Sequence, residues 1–375
     1  MTKTFPYAAP ENDAVCARQI AFFAAFLLPV YKLLELPSLL AGFTKSDLLL
    51  PALLQFLSQT GVLIGVLLVA ARSETSILER LQKRLGKWIV VVYVSYALYF
   101  LLAVVLPLLD LEKFVYAAFY DTSPTLFAFA AFFLLSGFVC SKGLKMTGRI
   151  ADLCLFPFLL PFLALIAMSL TEADATNLLP VFEQGIQNTF RAVTYTTPHF
   201  SDVALLLPLL CSLRYKKGDG KKITLGYATG AMFVLVFLAV FYGLYSTVAA
   251  REHYAFSKIA QYFPVLSVVG RIDLLFVYML SIVIFFYTCI PLQYTVDLTA
   301  RLFKKPKKPW ISALLNVAVF LFVLFGNKHY NAIYAAICRY ALPAFFLFGN
   351  LLPTALLFLR EKKLPQNREK ENENA

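Results

Sequence analysis

The sequence predicts an all-α integral membrane protein of about ten transmembrane helices, on three observations. Of its 375 residues 60% are hydrophobic and 15% charged, where a soluble domain carries roughly 45–50% and about 25%, so the chain lacks the polar surface to cover a water-soluble fold of its size. Its apolar residues gather into ten runs, and roughly 20 such residues cross a bilayer. Its Lys and Arg residues collect in alternate connectors, the pattern of a membrane protein with a basic cytoplasmic side.

The ten runs extend from Ile20 to Leu40, Leu48 to Ala71, Trp88 to Leu109, Thr125 to Cys140, Ile150 to Met168, Phe200 to Leu213, Leu225 to Val248, Leu274 to Leu292, Ile311 to Leu324 and Ile337 to Leu359. The sixth is too short to cross alone, and those starting at Thr125 and Ile311 are marginal. A short run marks a broken helix or one at the membrane edge. Between runs, Ser73 to Gly86 has an N-cap candidate in Ser73 and a basic face, and is expected on the inner surface. The connector from Ala249 to Asp273 alternates aromatic, aliphatic and polar residues at helical spacing, predicting a helix on the outer interface.

Assigning every other connector to one side places 25 Lys and Arg residues there and 8 opposite, with Lys32 left inside a span. Both termini are therefore expected in the cytoplasm and the number of spans is even. The formal charge of +12 becomes a cytoplasmic rim rather than a nucleic-acid surface. The first ~19 residues lack a cationic start followed by an apolar core, so the first span is expected to act as its own insertion signal. The whole chain reads as one membrane domain ending in a disordered cytoplasmic tail, 361–375. The six cysteines lie singly, mostly in apolar segments, without metal-ligand spacing. Soluble-enzyme motifs are missing and the three histidines (His199, His253, His329) are far apart, so neither catalysis, a metal nor a cofactor is expected.

Polar and helix-breaking residues at membrane depth carry the functional signal, because a charge in hydrocarbon costs several kcal/mol unless paired or wetted. In the first run Pro29 and Pro37 flank Lys32 and Glu35, and each proline removes a backbone hydrogen bond. A kink is predicted near Val30, Tyr31 and Lys32, with Lys32 and Glu35 sharing a face at i and i+3, either neutralising each other or lining a polar cavity. The sixth run follows a polar stretch, Thr194 to Asp202, containing Pro198 and Ser201. A half-helix starting near Ser201 would turn its N-terminus to a cavity, where N–H groups and the helix dipole favour an anionic group such as a ligand carboxylate. Tyr96 on the third run and Tyr278 on the eighth are further candidates for turning hydroxyls inward, beside Tyr93, Tyr99 and Tyr287. Arg271 with Asp273, and Arg339, Asn350 and Pro353 in the last run, carry less weight.

Breaks in runs one and six of ten are corresponding positions if runs one to five and six to ten are inverted repeats, about 20–168 and 195–360. That is the sequence pointer to a midplane substrate site in LeuT-type transporters.

Three stretches carry a family resemblance: ADLCLFPFLLPFLALIAMSL followed by TNLLPVFEQGI (Ala151 to Ile186), VVGRIDLLFVYMLSIVIFFYTCIPLQYTVDLTARLF (Val268 to Phe303) and FGNLLPTALLFLREKK (Phe348 to Lys363). In these the chain resembles the spore germination permeases, the B subunits of nutrient germinant receptors. The resemblance implies the amino acid, polyamine and organocation transporter fold, recognition of a small germinant, often an amino acid, in the spore inner membrane, and two partners, a membrane-embedded A subunit and a lipoprotein C subunit. It also marks departures. Pro37 matches the family's first-span proline, but Val30, Tyr31 and Lys32 replace the family's glycine-containing break, and after Pro198 the residues Ser201 and Asp202 replace a Gly-Glu pair. Lys32 is therefore expected to meet a ligand carboxylate or to pair with Glu35 or Asp202, taking the role of a bound cation in sodium-coupled relatives. A competing expectation is a secondary transporter of amino acids or amines, proton-coupled through Glu35 or Asp202; a membrane scaffold would leave the charges unexplained.

Overall fold

Two prolines decide how the first apolar run folds. In the computed structural model, which describes residues 15–72, 77–119, 125–180, 184–262, 273–303 and 308–358, the run comprises α1 (Ala17–Phe22), a π turn (Phe23–Leu27), α2 (Leu28–Lys32) and α3 (Leu36–Thr44). Pro29 and Pro37 each sit in the first turn of a helix, where a missing N–H leaves no hydrogen bond unmade. The chain leaves helical geometry at 33–35, a few residues later than the kink predicted at Val30 to Lys32, because Pro37 requires a fresh helix start while the wide π turn accommodates Pro29.

The remaining helices are α4 (Leu49–Ala71), α5 (Ile77–Leu85), α6 (Ile89–Phe119), α7 (Thr125–Cys140), α8 (Leu144–Ser169), α9 (Gly185–Tyr195), α10 (Asp202–Ser212), α11 (Asp219–Tyr245), α12 (Ala255–Tyr262), α13 (Asp273–Leu302), α14 (Lys308–Gly326), α15 (Tyr330–Ala336), α16 (Leu342–Phe346) and α17 (Leu352–Ala355). No strand occurs among the described residues. Among the described residues, six helical segments are long and apolar enough to cross a membrane: Leu36–Ala71, Ile77–Phe114, Leu144–Ser169, Asp219–Arg251, Leu275–Leu302 and Lys308–Gly326. They match predicted runs two, three, five, seven, eight and nine. The other four are broken or short: α1 to α3, α7, α10, and a last run divided by π turns at Ile337–Ala341 and Leu347–Leu351.

The burial pattern is that of a chain in lipid. Leu98, Leu134, Phe156 and Leu314 point outward, while Lys32, Gln59, Asp110, Asp202 and Gln293 are buried. Inside, one continuous hydrophobic core joins all the long helices. Run two packs on run seven (α4 on α11), run three on run eight (α6 on α13) and run four on run nine (α7 on α14), while α1 lies against α11. That last contact is close because α11 presents Gly226 and Gly230, one turn apart; a Cβ at either would stand 2.5 Å from a backbone carbonyl oxygen, of Ala21 or Ala24.

Part of the connector after run seven forms the helix α12, largely buried, and its first N–H groups close the break in run one. Ala255 donates to the Leu34 carbonyl at 3.0 Å and Phe256 to that of Leu33 at 3.2 Å. Helix α9 occupies a connector in which the sequence reading places no helix. Ser73, Arg271, 263–272 of the surface segment and the 361–375 tail lie outside the described residues.

Candidate functional site

A lysine and an aspartate 170 positions apart form the centre of the site. Lys32 ends α2, Asp202 opens α10 with Ser201 as its N-cap, and the ammonium lies 2.5 Å from Asp202 Oδ1, both side chains almost wholly buried. Tyr227 of α11 donates to the other carboxylate oxygen at 2.8 Å. The Phe56 and Phe200 rings lie 6.0 and 5.4 Å from the ammonium, adding cation–π attraction. Every charge in this group has a partner, which makes a buried ion pair tolerable in low dielectric.

Directly beside the pair is a cavity of about 20 Å³, room for roughly one water. Five runs converge on it: Tyr31 from the first, Tyr99, Ala103 and Pro107 of α6, Pro198, His199, Ser201 and Asp202 at the sixth, Tyr287 and Pro291 of α13, and Phe345 of α16. Three rings are stacked along its wall. Tyr31 lies in the middle, 5.1 Å from His199 at 6° and 5.5 Å from Tyr287 at 16°, and its hydroxyl donates to Asp110 at 2.8 Å. Pro107 and Pro291 sit inside their helices, so the carbonyls of Ala103 and Tyr287, four residues earlier and also at the cavity, lack the N–H that a helix normally supplies.

The structure brings together Tyr31, Lys32, Pro198, Ser201 and Asp202, with Val30 buried beside them. It separates the other candidates. The break falls between Lys32 and Glu35, so they no longer share a helix face: Lys32 turns to Asp202, and Glu35 lies 3.4 Å from His253. Tyr278 is 59% exposed on the outside of α13, and Tyr287 nine positions on takes the place at the cavity. Tyr96, with Tyr93, lines a second cavity with Cys211, Asp297 and Arg301. Arg339 is exposed over Tyr340, whereas Pro353 is buried.

The N-terminus of α10 is not open to an anion in the way expected from the sequence. Its Val203 N–H donates to Gln59 Oε1 at 3.1 Å, while Gln59 Nε2 donates to Asn350 at 2.8 Å, and Asp202 supplies the negative charge that the helix dipole favours. Replacing Gln59 with leucine leaves that buried N–H without its acceptor. We expect a loss of about 1–3 kcal/mol, measurable as a lower midpoint in thermal unfolding of the detergent-solubilised protein.

Gln59, Asp110 and His199 are the functional candidates that the sequence reading missed. Gln55 and Gln59, four apart inside an apolar run, were the available signal. The third run ends at Leu109 in sequence because an acid normally marks a connector, but α6 continues to Phe119 and Asp110 is 1% exposed. No group of three or more metal-ligating side chains occurs among the described residues.

Among curated proteins none matches the chain. A family model described as spore germination protein matches residues 49–331. The match begins at α4, takes in Asp110, His199, Asp202 and Tyr287, and leaves Tyr31 and Lys32 outside it. Covering more than half of the sequence, it agrees with the helical membrane architecture: the chain belongs to the spore germination permease family.

Proposed function

We propose that the chain is the nutrient-recognition subunit of a spore germination receptor, binding a small germinant at membrane mid-depth and signalling to a membrane-embedded A subunit and a lipoprotein C subunit. The observation that carries this is the Lys32–Asp202 pair, which ties the two broken runs together next to a cavity that five runs line. Charges kept at membrane depth mark functional sites, and broken helices facing one another mark the substrate position in inverted-repeat permeases. The packing of runs two, three and four on seven, eight and nine supports a five-plus-five LeuT-type repeat, about 20–168 and 195–360. The distribution of Lys and Arg supports cytoplasmic termini, and the family match supports a place in the spore inner membrane.

In the present state the cavity has room for about one water. A germinant therefore binds a different, roomier state of the bundle, and its differential affinity shifts the population toward that state. The partner subunits read the shift.

Spores lacking the chain are expected to ignore the cognate nutrient and to regain the response when the gene is supplied in trans, with the A and C subunits co-purifying with the restored chain. Uptake of a labelled nutrient into vesicles by the purified chain alone, with an unchanged response in the deletion spores, would overturn the proposal in favour of a transporter.

A further inference from the structure

A nutrient cannot enter a cavity of about 20 Å³ unless a side chain leaves, and the stacking identifies which one. Tyr31 is a single flat ring held between two nearly parallel rings, His199 and Tyr287. It belongs to the segment next to the break at 33–35, so a rotation there withdraws it while the walls, His199 on its turn and Tyr287 on α13, stay in place. Withdrawal leaves a slot one ring thick.

What Tyr31 satisfies in that slot defines its replacement. Its hydroxyl donates to the buried Asp110. The Nδ1 atom of His199, 4% exposed, has no hydrogen-bond partner. Close by, the carbonyls of Ala103 and Tyr287 lack their helical donors, as described above. Lys32 and Asp202 are closed on one another, so that pair offers no counter-charge to an added ion, which would lie in low dielectric. The groups around the slot call for a flat ring with hydrogen-bond donors on its edge.

We propose that the space between His199 and Tyr287 is the ring subsite of the ligand, that the ligand is a neutral or zwitterionic molecule carrying an aromatic ring with a hydrogen-bond donor, and that Tyr31 is its resting occupant. The inference rests on reading the cavity as the germinant site. Tyr31 competes with the ligand for the slot, so the apparent affinity is the intrinsic one multiplied by the fraction of molecules with Tyr31 withdrawn. Tyr31 thereby sets the response threshold.

The test uses the full-length protein in lipid nanodiscs, titrated calorimetrically and by thermal shift with tyrosine, hypoxanthine and alanine, which separate a phenol, a nitrogen heterocycle and an aliphatic amino acid. Tyrosine or hypoxanthine is expected to bind, and whichever does so names the source of the ring. Y31A is expected to bind that ring at least tenfold more tightly and H199A or Y287A at least tenfold more weakly. Should Y31A fail to fold, Y31F keeps the ring and loses the hydroxyl that bonds Asp110, and binds severalfold more tightly. A side chain with a purely structural role gives no gain in affinity when it is cut back. Binding of alanine alone, or weaker ring binding in Y31A and Y31F, overturns the ring subsite and leaves ligand recognition standing. Absence of binding by all three probes, with an intact nutrient response in spores lacking the chain, overturns both.

Discussion

Replacing Lys32 with methionine is expected to destabilise the bundle by about 3–5 kcal/mol, the cost of leaving one member of a buried ion pair without the other. The carboxylate of Asp202 would keep only the Tyr227 hydroxyl, in surroundings formed by the Phe56 and Phe200 rings. The loss should be largely recovered in the double variant Lys32→Met, Asp202→Leu, since replacing both partners by apolar groups of similar size is often neutral. Germination separates stability from function: the double variant is expected to reach wild-type levels in the membrane and still give no nutrient response. A normal dose-response in the double variant would show that the pair serves the fold alone.

The second large effect concerns the contact of α1 with α11. Without side chains at Gly226 and Gly230 the two helices approach until backbone meets backbone, and a Cβ on Gly230 would stand 2.5 Å from the Ala24 carbonyl oxygen and 3.0 Å from Pro29. Neither can yield easily, the carbonyl being main chain and Pro29 a rigid ring in the first turn of α2. Gly230→Ala is therefore expected to cost about 1–3 kcal/mol through overpacking, and Gly230→Leu to prevent the π turn and α2 from docking. Gly61, on the outward side of α4 with open space around it, serves as the control, and Gly61→Ala should cause no loss and a gain of at most about 1 kcal/mol from helix propensity. Thermal unfolding of the three variants in one detergent distinguishes these outcomes.

Membrane class and six of the ten runs were legible because each depends on composition within a window of about 20 residues. The breaks in runs one and six were legible for a related reason: prolines and charges in an apolar run are local facts. Partner choice was not. Lys32 has Glu35 three positions away, yet pairs with Asp202, because the chain leaves the helix between them and the orientation of each side chain then depends on tertiary packing. Tyr278 and Tyr287 look alike in sequence, and only the direction α13 faces tells the outward ring from the stacked one. Asp110 shows a third kind of limit: rules that end a span at the first acid hide those acids that a long helix carries into the interior.

Two carbonyls opened by the break in run one, those of Leu33 and Leu34, take their donors from the start of α12. The interruption is thus closed by main-chain donors from a part of the chain outside the bundle's long helices. Any pivot at 33–35 must either carry α12 along or give up two hydrogen bonds, each worth roughly 0.5–1.5 kcal/mol net. Helix α12 is itself buried against α13 and α8, so a pivot that carries it along passes the movement beside Lys32 to those two long helices.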